Sequence, residues 1–325
     1  MAKKHWIGFD LGGTKMMSKV YDAGFKPVGK ARTRSKGHEG KTKGLERMVE
    51  TIEASLDKAG VKAGDLAGIG VGCPGPLDLD AGVVLNTPNL GWKNVPVRET
   101  LEKASGCPAV ICNDVDSGVF GEYRFGAAKG ARCVVGVFPG TGIGGGAVYD
   151  GKILRGKKGS AMELGHIPVV RDGPLCGCGR RGCLEAVASR MAISSAVARA
   201  AYRGEASYLM QRAGTDISEI RSGALSDSIK NGDKAVERIV REAARTIGWA
   251  VSGVVNLLAP DIILLGGGLV EEMPRLFKEE VRKGLKAQVM PAFESSFKVV
   301  AAGLGDDAGV KGAAAWAAEV VEGDA

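Results

Sequence analysis

The chain has 325 residues, more than a single hydrophobic core usually supports, and this length predicts two domains. Its composition, 45% hydrophobic and 25% charged, is ordinary for a soluble globular protein, whereas its 50 glycines, about 15%, are roughly twice the average usage. The formal charge of +7 comes from local clusters such as Lys3-Lys4 and Arg180-Arg181. These clusters indicate a solvated basic surface or attraction of a nucleotide. Nucleic acid is not an expected partner, because no basic helix or aromatic platform accompanies the charge.

The first predicted element is a β-hairpin closed by glycines. The stretch HWIGFDLGGTKMMSKVYD has an apolar run up to Phe9, an acid at Asp10, the turn Gly12-Gly13-Thr14, and extended residues through Val20. A carboxylate beside free backbone N–H groups can hold magnesium and bind phosphate oxygens. An ordinary hairpin turn would use the same residues, so the segment alone leaves both interpretations open.

A helix, a strand and two loops are predicted next. Residues 45–59 have the spacing of an amphipathic helix, and residues 66–71 form an apolar run typical of a buried strand. The prolines of GCPGPLD then predict a rigid loop. The stretch NTPNLGW, residues 86–92, predicts a polar loop in which Asn89 is either a turn residue or an amide that binds a hydroxyl-rich ligand.

The following strand ends at two polar residues. Residues 108–112, PAVIC, predict a short strand that stops at Asn113 and Asp114, where helical spacing begins. Asp114 is either the N-cap of that helix or a reactive group, because open α/β sheets carry reactive groups at the carboxyl ends of their strands. The two interpretations are compatible.

A second glycine hairpin repeats the first. The sequence predicts a strand from Cys133, a turn at Gly140-Thr141-Gly142, and a second strand containing the glycines at 144–146. Two such units, one in each half of the chain, predict a duplicated scaffold whose phosphate-binding hairpins face a common cleft.

Potential metal ligands lie close together in residues 163–185. His166, one of three histidines, is near Cys176, Cys178 and Cys183. A Cys₃His set is typical of a closed tetrahedral zinc site, because Zn²⁺ suits thiolate and imidazole ligands. Glycines at 177, 179 and 182 allow the tight turns that such a loop needs. The alternatives are a disulfide with a spare thiol, or three unligated thiols. Zinc is preferred, since three clustered cysteines cannot all pair with one another.

The cysteines also bear on the compartment. Seven is an odd number, and with no secretory signal in the sequence it favours a reducing, cytoplasmic location. Cys73, Cys107, Cys112 and Cys133 lie in apolar surroundings and are predicted to be buried. The uncharged stretch at residues 246–260 is too short to span a membrane.

The rest of the chain predicts three helices and a strand. A long buried helix is expected over residues 235–258, then a strand from Asp261 that runs into the glycines at 266–268, and a helix over 273–286. The glycines offer a third place where backbone can approach a ligand. A helix of small residues from about Asp307 must pack closely against another element.

Together these motifs resemble the ROK family (repressors, open reading frames and kinases), and within it the bacterial glucokinases. The resemblance covers nearly the whole chain, and ELGH with CGCGRRGCLE is its most specific part. It rests on DLGGTK at 10–15, NTPNLGW at 86–92, ND at 113–114, PGTGIGGG at 139–146, ELGH at 163–166, CGCGRRGCLE at 176–185, LLGGGL at 264–269 and GLGDDAGVKGAA at 303–314.

The resemblance implies an actin-like, ribonuclease-H-like fold with two α/β domains around a cleft. The N-terminal domain would comprise residues 1–114 with a returning helix at 308–325, and the C-terminal domain residues 115–307 with the zinc motif. The implied activity is phosphorylation of a hexose 6-hydroxyl, glucose first, from ATP and Mg²⁺, in a homodimer or homotetramer. Fructose, mannose, N-acetylglucosamine and N-acetylmannosamine are alternative substrates.

The resemblance also implies residue roles. Asp114 would be the general base, and the sugar would be bound by Asn89, Asn113, Asp114, Glu163, His166 and Glu185. Asp10 would serve Mg²⁺, the phosphates would be bound by Asp10, Gly12, Gly13, Thr14, Lys15, Thr141 and Gly142, and the adenosine would lie near Gly266, Gly267 and Gly268. Zinc held by His166, Cys176, Cys178 and Cys183 would be structural, because four protein ligands leave no open position.

Other functions within the same family are disfavoured. Its repressors carry a helix-turn-helix domain ahead of the DxGGT turn, and only nine residues precede Asp10. A sugar-binding regulator without turnover would not need Asp10, Asp114 and both glycine turns. Polyphosphate is an alternative phosphoryl donor, and its negative charge would suit the basic clusters.

Overall fold

The computed structural model describes residues 5–87, 89–157 and 159–323, so Pro88 of the NTPNLGW stretch and the last two residues of the predicted final helix lie outside the described residues. The described residues form two compact units. One is drawn from Met1–Gly130, Gly146–Ala161 and Gly303–Ala325, the other from Ala131–Gly145 and Met162–Ala302. The expected boundary after residue 114 therefore differs from the observed one, since the helix that starts at Asp114 lies wholly in the first unit.

The strands of the described chain are β1 (His5–Leu11), β2 (Lys15–Tyr21), β3 (Pro27–Arg34), β4 (Leu66–Cys73), β5 (Leu77–Asp78), β6 (Val83–Thr87), β7 (Trp92–Val95), β8 (Ala109–Asn113), β9 (Cys133–Pro139), β10 (Ile143–Tyr149), β11 (Lys152–Ile153), β12 (Arg155–Gly156), β13 (Gly159–Ser160), β14 (Ile262–Leu265) and β15 (Lys298–Ala301). The α-helices are α1 (Lys41–Ala59), α2 (Val97–Ser105), α3 (Asp114–Phe125), α4 (Leu184–Ala188), α5 (Arg190–Tyr202), α6 (Ser207–Ala213), α7 (Ser222–Lys230), α8 (Lys234–Leu258), α9 (Gly268–Glu272), α10 (Pro274–Lys286) and α11 (Asp307–Gly323). A 3₁₀ turn covers Leu164–His166.

The first unit is built on a five-stranded sheet with the order β3-β2-β1-β4-β8. The hairpin β1–β2 is antiparallel, as its glycine turn predicts, and β4 and β8 add in parallel to β1. Parallel strands end at the same edge of a sheet, so the carboxyl ends of β1, β4 and β8 lie side by side. This edge carries the acidic residues discussed below.

The predicted polar loop is shorter than residues 86–92, because Asn86 and Thr87 belong to β6, Trp92 starts β7, and the described residues 89–91 form a turn between them. Thr87 at the end of β6 pairs with Trp92 at the start of β7, within the small sheet β5-β6-β7. Val84, Trp92 and Val95 are buried, so apolar side chains on both arms favour strand pairing over an open loop. The predicted loop at the prolines is present at residues 74–76, and its Gly75-Pro76 peptide bond is cis.

The second sheet has the order β11-β10-β9-β14-β15. Here β14 runs parallel to β9 and β15, and β10 is antiparallel to β11. A hairpin pair followed by parallel strands on the other side of the first strand is also the arrangement of the first sheet. The predicted duplication of the scaffold is confirmed for these two sheets.

The small-residue helix α11 packs directly on the first sheet. A Cβ atom on Gly8 of β1 would lie 1.8 Å from the carbonyl oxygen of Val310, and one on Gly70 of β4 would lie 1.8 Å from that of Ala313. Glycine at these two strand positions is what allows helix backbone and sheet backbone to approach so closely. The prediction that this helix packs tightly is confirmed.

Replacing Gly8 by alanine is expected to destabilise the protein by about 1–3 kcal/mol or more, because overpacking against backbone cannot be relieved by a side-chain rotation. Urea denaturation would measure the change in the free energy of unfolding. Gly64→Ala is the matched control, since a Cβ there meets no atom of the described residues within 4 Å. Equal stability of the two variants would contradict the close helix–sheet packing.

The core of the second unit includes the predicted long helix α8. It crosses α10 closely, where a Cβ on Gly248 would lie 2.1 Å from the carbonyl oxygen of Val281. Beside this crossing the buried carboxylate of Glu280 accepts hydrogen bonds from Arg241 at 2.9 Å and from Arg245 at 2.6 Å. A buried acid requires such partners, because an unpaired charge would be costly in the protein interior.

The four cysteines outside the proposed metal motif are buried, as predicted, with relative exposures between 0 and 4%. They are Cys73, Cys107, Cys112 and Cys133. Among the helices of the described residues, none combines the length and apolar character needed to cross a membrane.

Candidate active site

Two carboxylates meet at the carboxyl edge of the first sheet. In the strand register, Asp10 of β1 lies beside Gly72 of β4, and Cys73 lies beside Asn113 at the end of β8. A Cβ atom on Gly72 would be 3.6 Å from the Cα of Asp114 and 2.7 Å from the hydroxyl of Ser117. Glycine at position 72 therefore lets the start of α3 approach the neighbouring strand and brings Asp114 to the same edge as Asp10.

Asn113, not Asp114, caps α3. The Asn113 side-chain oxygen accepts hydrogen bonds from the backbone N–H groups of Val115 at 2.9 Å and Asp116 at 3.3 Å. Asp114 is the exposed first residue of the helix, and its Oδ1 accepts from the N–H of Val115 at 2.9 Å. The capping interpretation therefore belongs to Asn113, which leaves Asp114 positioned by the helix but not needed to start it.

The electrostatics of this edge favour a bound cation. Burial, together with the carboxylates of Asp114 and Asp306, raises the pKa of the Asp10 carboxyl to about 6, and the Arg32 guanidinium opposes this shift. Arg32 donates to Asp306 at 3.2 Å. A half-buried acid surrounded by other acids gains from a divalent cation, which relieves the repulsion among them.

The turn after Asp10 presents exposed backbone. Gly12 donates its N–H to the carbonyl of Lys15 at 3.0 Å, and Gly13, Thr14 and Lys15 are exposed. The Gly13 Cα lies against Asn89, because a Cβ on Gly13 would be 3.2 Å from the Cβ of Asn89. Asn89 is itself exposed, and the structure brings it to the first glycine turn.

The second glycine turn is held by Arg190, the first residue of α5. Gly140 donates its N–H to the carbonyl of Gly142 at 2.8 Å and accepts from the N–H of Arg190 at 2.9 Å. The Arg190 guanidinium donates through Nη2 to the hydroxyl of Thr141 at 2.9 Å. The turn is thus fixed by backbone and side-chain bonds, with Thr141 exposed at its tip.

Glu185 links this turn to the cysteine motif. Its Oε2 accepts from the N–H of Ile143 at 3.0 Å, and a Cβ on Gly142 would be 2.3 Å from the same oxygen. Its Oε1 lies 3.7 Å from the sulfur of Cys176. Glu163, at the other end of the motif, is exposed and immediately precedes the 3₁₀ turn that carries His166.

The predicted zinc ligands come together. One ligand atom from each of His166, Cys176, Cys178 and Cys183 lies within 4.8 Å of all the others. Cys178 and Cys183 have their sulfurs 3.7 Å apart, and His166 Nδ1 is 3.6 Å from the sulfur of Cys176. With Zn–S bonds of 2.3 Å, a tetrahedral site has sulfur atoms about 3.8 Å apart. The donor set and its spacing therefore fit Zn²⁺, with His166 presenting Nδ1 to the site.

Two of the three loop glycines adopt backbone conformations that favour glycine. Gly179 has φ 85° and Gly182 has φ 74°, and a Cβ on Gly182 would lie 1.7 Å from the carbonyl oxygen of Val170. A Cβ on Gly177 would meet no atom within 4 Å in the part of the chain that the structure describes. The tight turns predicted for this loop are thus confirmed at positions 179 and 182.

The third glycine segment is a helix start rather than an open turn. Gly267 has φ 80° and precedes α9, whose first residue is Gly268. A Cβ on Gly266 would lie 2.4 Å from the ring of Phe138. The segment therefore stays close to the end of β9.

Several residues at these sites were not identified from the sequence. Asp306 and Arg32 reach the edge near Asp10 from segments far apart in the chain. Asp306 lies in a motif that carried the family resemblance, and that motif was the available signal. No sequence signal marked Gly72 or Arg190, because their roles depend on which atoms lie opposite them in the folded chain.

Comparisons with known proteins agree over nearly the whole chain. The model of the ROK family matches residues 6–320. A glucokinase of Thermotoga maritima is 35% identical over 324 residues, covering 99% of this chain and 100% of that protein. The crystal structure of a ROK family glucokinase from Streptomyces griseus, in complex with glucose and AMPPNP, has a TM-score of 0.83 at 30% identity and covers 97% of this chain and 99% of that one.

A relative with a different named substrate also aligns end to end. The N-acetyl-D-glucosamine kinase of Vibrio cholerae is 29% identical over 325 residues, covering 95% of this chain and 98% of that protein. Because relatives with different named substrates align over nearly the whole chain, the similarity identifies the family but not the sugar that is phosphorylated.

Proposed function

The chain belongs to the ROK family, and from this membership we propose that it transfers the terminal phosphoryl group of ATP to the 6-hydroxyl of glucose. The expected actin-like, two-domain α/β fold is confirmed, and the protein is an ATP-dependent sugar kinase. The observation that carries the proposal is the pairing of Asp10 with Asp114 at one sheet edge, beside Asn113. Phosphoryl transfer needs a positioned base and a cation site rather than a protein nucleophile.

Asp114 is proposed as the general base. The 6-hydroxyl must lose its proton as it attacks the phosphorus, and a carboxylate within hydrogen-bond reach can accept that proton. The carboxylate has lone pairs enough to keep the bond from Val115 N–H while accepting the sugar hydroxyl. Its position at the first residue of α3 holds it in place without making it the cap.

The sugar is proposed to be bound by five further side chains, namely Asn89, Asn113, Glu163, His166 and Glu185. Because the Asn113 oxygen already caps α3, its NH₂ group is the part available to donate to a sugar oxygen. Glu163 and Glu185 accept from hydroxyl donors, with Glu185 oriented by its bond from Ile143 N–H. Amide donors and carboxylate acceptors of this kind suit a hydroxyl-rich ligand.

The glycine turns are proposed to bind the phosphates. The first would use Gly12, Gly13, Thr14 and Lys15, and the second Thr141 and Gly142, with adenosine near Gly266, Gly267 and Gly268. Bound at Asp10, Mg²⁺ would neutralise charge on the transferred group. The protein itself contributes backbone N–H groups and the fixed hydroxyl of Thr141.

The zinc is proposed to act through the loop that it closes. Bound by His166 Nδ1 and three thiolates, Zn²⁺ would fix the loop that carries both glutamates. His166 would then present Nε2 to a sugar hydroxyl.

A coupled ADP-release assay tests this function. It would compare glucose, fructose, mannose, N-acetylglucosamine and N-acetylmannosamine as acceptors, with ATP and polyphosphate as donors. Glucose with ATP is expected to give the highest kcat/KM. A higher value for an N-acetylhexosamine would replace glucose as the substrate, and no turnover of any sugar would overturn the kinase proposal.

Asp10→Asn is expected to stabilise the ligand-free protein at pH 7 while removing activity. The raised pKa means that folded Asp10 keeps its proton up to about pH 6, whereas the unfolded chain loses it near 3.8. The contribution of the Asp10 carboxyl to the free energy of unfolding is therefore fully present below pH 3.8 and is lost as the pH rises through 6. The loss amounts to about 1–3 kcal/mol. Thermal melts at pH 4 and pH 7 would measure it.

The exposed Asp57→Asn on α1 is the control for that experiment. The expected signature is a gain in melting temperature for Asp10→Asn at pH 7 that disappears at pH 4. A gain of the same size at both pH values, or in both variants, would contradict the electrostatic account.

A further inference from the structure

Arg190 is placed to do more than close the second glycine turn. It is the first residue of the 13-residue helix α5, whose cap is Ser189, and its backbone N–H donates to the carbonyl of Gly140 at 2.9 Å. Its guanidinium reaches Thr141 Oγ1 through Nη2 at 2.9 Å. This bond uses one of the five N–H donors of the guanidinium. The remaining donors are carried by a half-buried side chain at the tip of a phosphate-binding turn.

A cavity of about 700 Å³ opens beside this side chain, entirely within the second unit. It is large enough for a nucleotide-sized ligand. Its lining includes Arg190, Met191, Arg221, Gly268, Glu271 and Glu272. Arg190 is therefore the residue shared by the turn and the cavity.

The charges around the cavity divide into two kinds. The Arg190 guanidinium has its pKa lowered by burial and by repulsion from Arg221, which means that the two cations lie close enough to oppose each other. An anion between or beside them relieves this repulsion, and the N-terminus of α5 adds to the positive potential. Glu271 and Glu272 line the same cavity, where carboxylates suit the hydroxyl and amino donors of a nucleoside rather than its phosphates.

We propose that Arg190 binds the phosphate chain of the nucleotide directly while its bond to Thr141 aligns the guanidinium with the turn. This inference rests on the proposed function and adds to it a specific phosphate ligand, outside both glycine turns. A planar guanidinium can hold a hydroxyl on one edge and phosphate oxygens on another, which a lysine ammonium at the same place cannot do with equal geometry.

The test compares ligands that differ only in their phosphates. Isothermal titration would give dissociation constants of adenosine, AMP and ADP for the wild-type chain, Arg190→Gln and Arg190→Lys. For Arg190→Gln the ADP affinity is expected to fall about 10- to 100-fold, as for loss of a charge-assisted hydrogen bond, with adenosine affinity unchanged. Arg190→Lys should recover part of the loss. Arg199→Gln, exposed near the other end of α5, is the matched control and should bind ADP normally.

A second variant separates direct contact from support of the turn. If Arg190 acted only by ordering Thr141, then Thr141→Val would weaken ADP as much as Arg190→Gln, and the double variant would be no worse. Direct contact predicts a further loss in the double variant. Unchanged ADP affinity in a folded Arg190→Gln, or an equal loss for adenosine, would overturn the inference. Absence of sugar phosphorylation by the wild-type chain would instead overturn the proposed function, so the two failures are distinguishable.

Discussion

Asp114→Asn is expected to lower kcat by about 100- to 10,000-fold, the range for loss of a general base. Glucose affinity should change little, because the amide keeps the size of the carboxyl and can still contact a hydroxyl. Coupled assays would give kcat, and glucose-induced thermal stabilisation would report binding separately. The protein should fold normally, since the cap of α3 is Asn113 and not Asp114.

Asn113→Ala is the matched comparison on the same helix start. It removes the cap and is expected to cost about 0.5–2 kcal/mol of stability, which Asp114→Asn should not. Residual kcat within tenfold of wild type in Asp114→Asn would assign the base to another residue. Loss of glucose binding together with turnover would give Asp114 a binding role instead.

Cys178→Ser is expected to remove zinc and to weaken glucose binding about 10- to 100-fold, the usual effect of disturbing the surroundings of a metal site. Cys178 is the exposed member of the four candidate ligands, so the change tests metal binding with little effect on core packing. Metal analysis should give one zinc per wild-type chain and less in the variant. Titration calorimetry would give the glucose affinity of both.

The buried Cys107→Ser is the matched cysteine control, because it lies outside the motif. It should retain zinc and glucose affinity. Unchanged glucose affinity in a zinc-free Cys178→Ser protein would show that the metal does not support sugar recognition. Full zinc content in the variant would show that the fourth ligand is not Cys178.

The parts of the fold that depend on local patterns were predictable from the sequence. The glycine hairpins, the helices α1, α8 and α11, and the Cys₃His motif all have signals within about 25 residues of chain. The loop predicted over residues 86–92 was too long, because β6 and β7 extend into it through the pairing of the buried Val84 with Val95 and of Thr87 with Trp92.

The site was predictable only where a motif marked it. Asp10, Asp114 and the cysteines stand in recognisable surroundings, whereas Gly72 matters because Asp114 and Ser117 lie opposite it. The effect of Asp306 on Asp10 joins residues nearly 300 positions apart. Contacts of this kind depend on tertiary packing and cannot be predicted from local sequence propensity. The helix cap is a further example. Asn113 and Asp114 are both residue types that commonly cap helices, so the sequence does not decide between them.

The position of Glu185 has a thermodynamic consequence. One of its carboxylate oxygens lies by the cysteine motif and the other accepts the first N–H after the second glycine turn. If metal binding shifts this side chain, then metal and nucleotide affinities are linked, and linkage is reciprocal. Nucleotide would then tighten the equilibrium binding of zinc by the same factor by which zinc tightens the binding of nucleotide, so the metal content of the protein would respond to its phosphoryl donor.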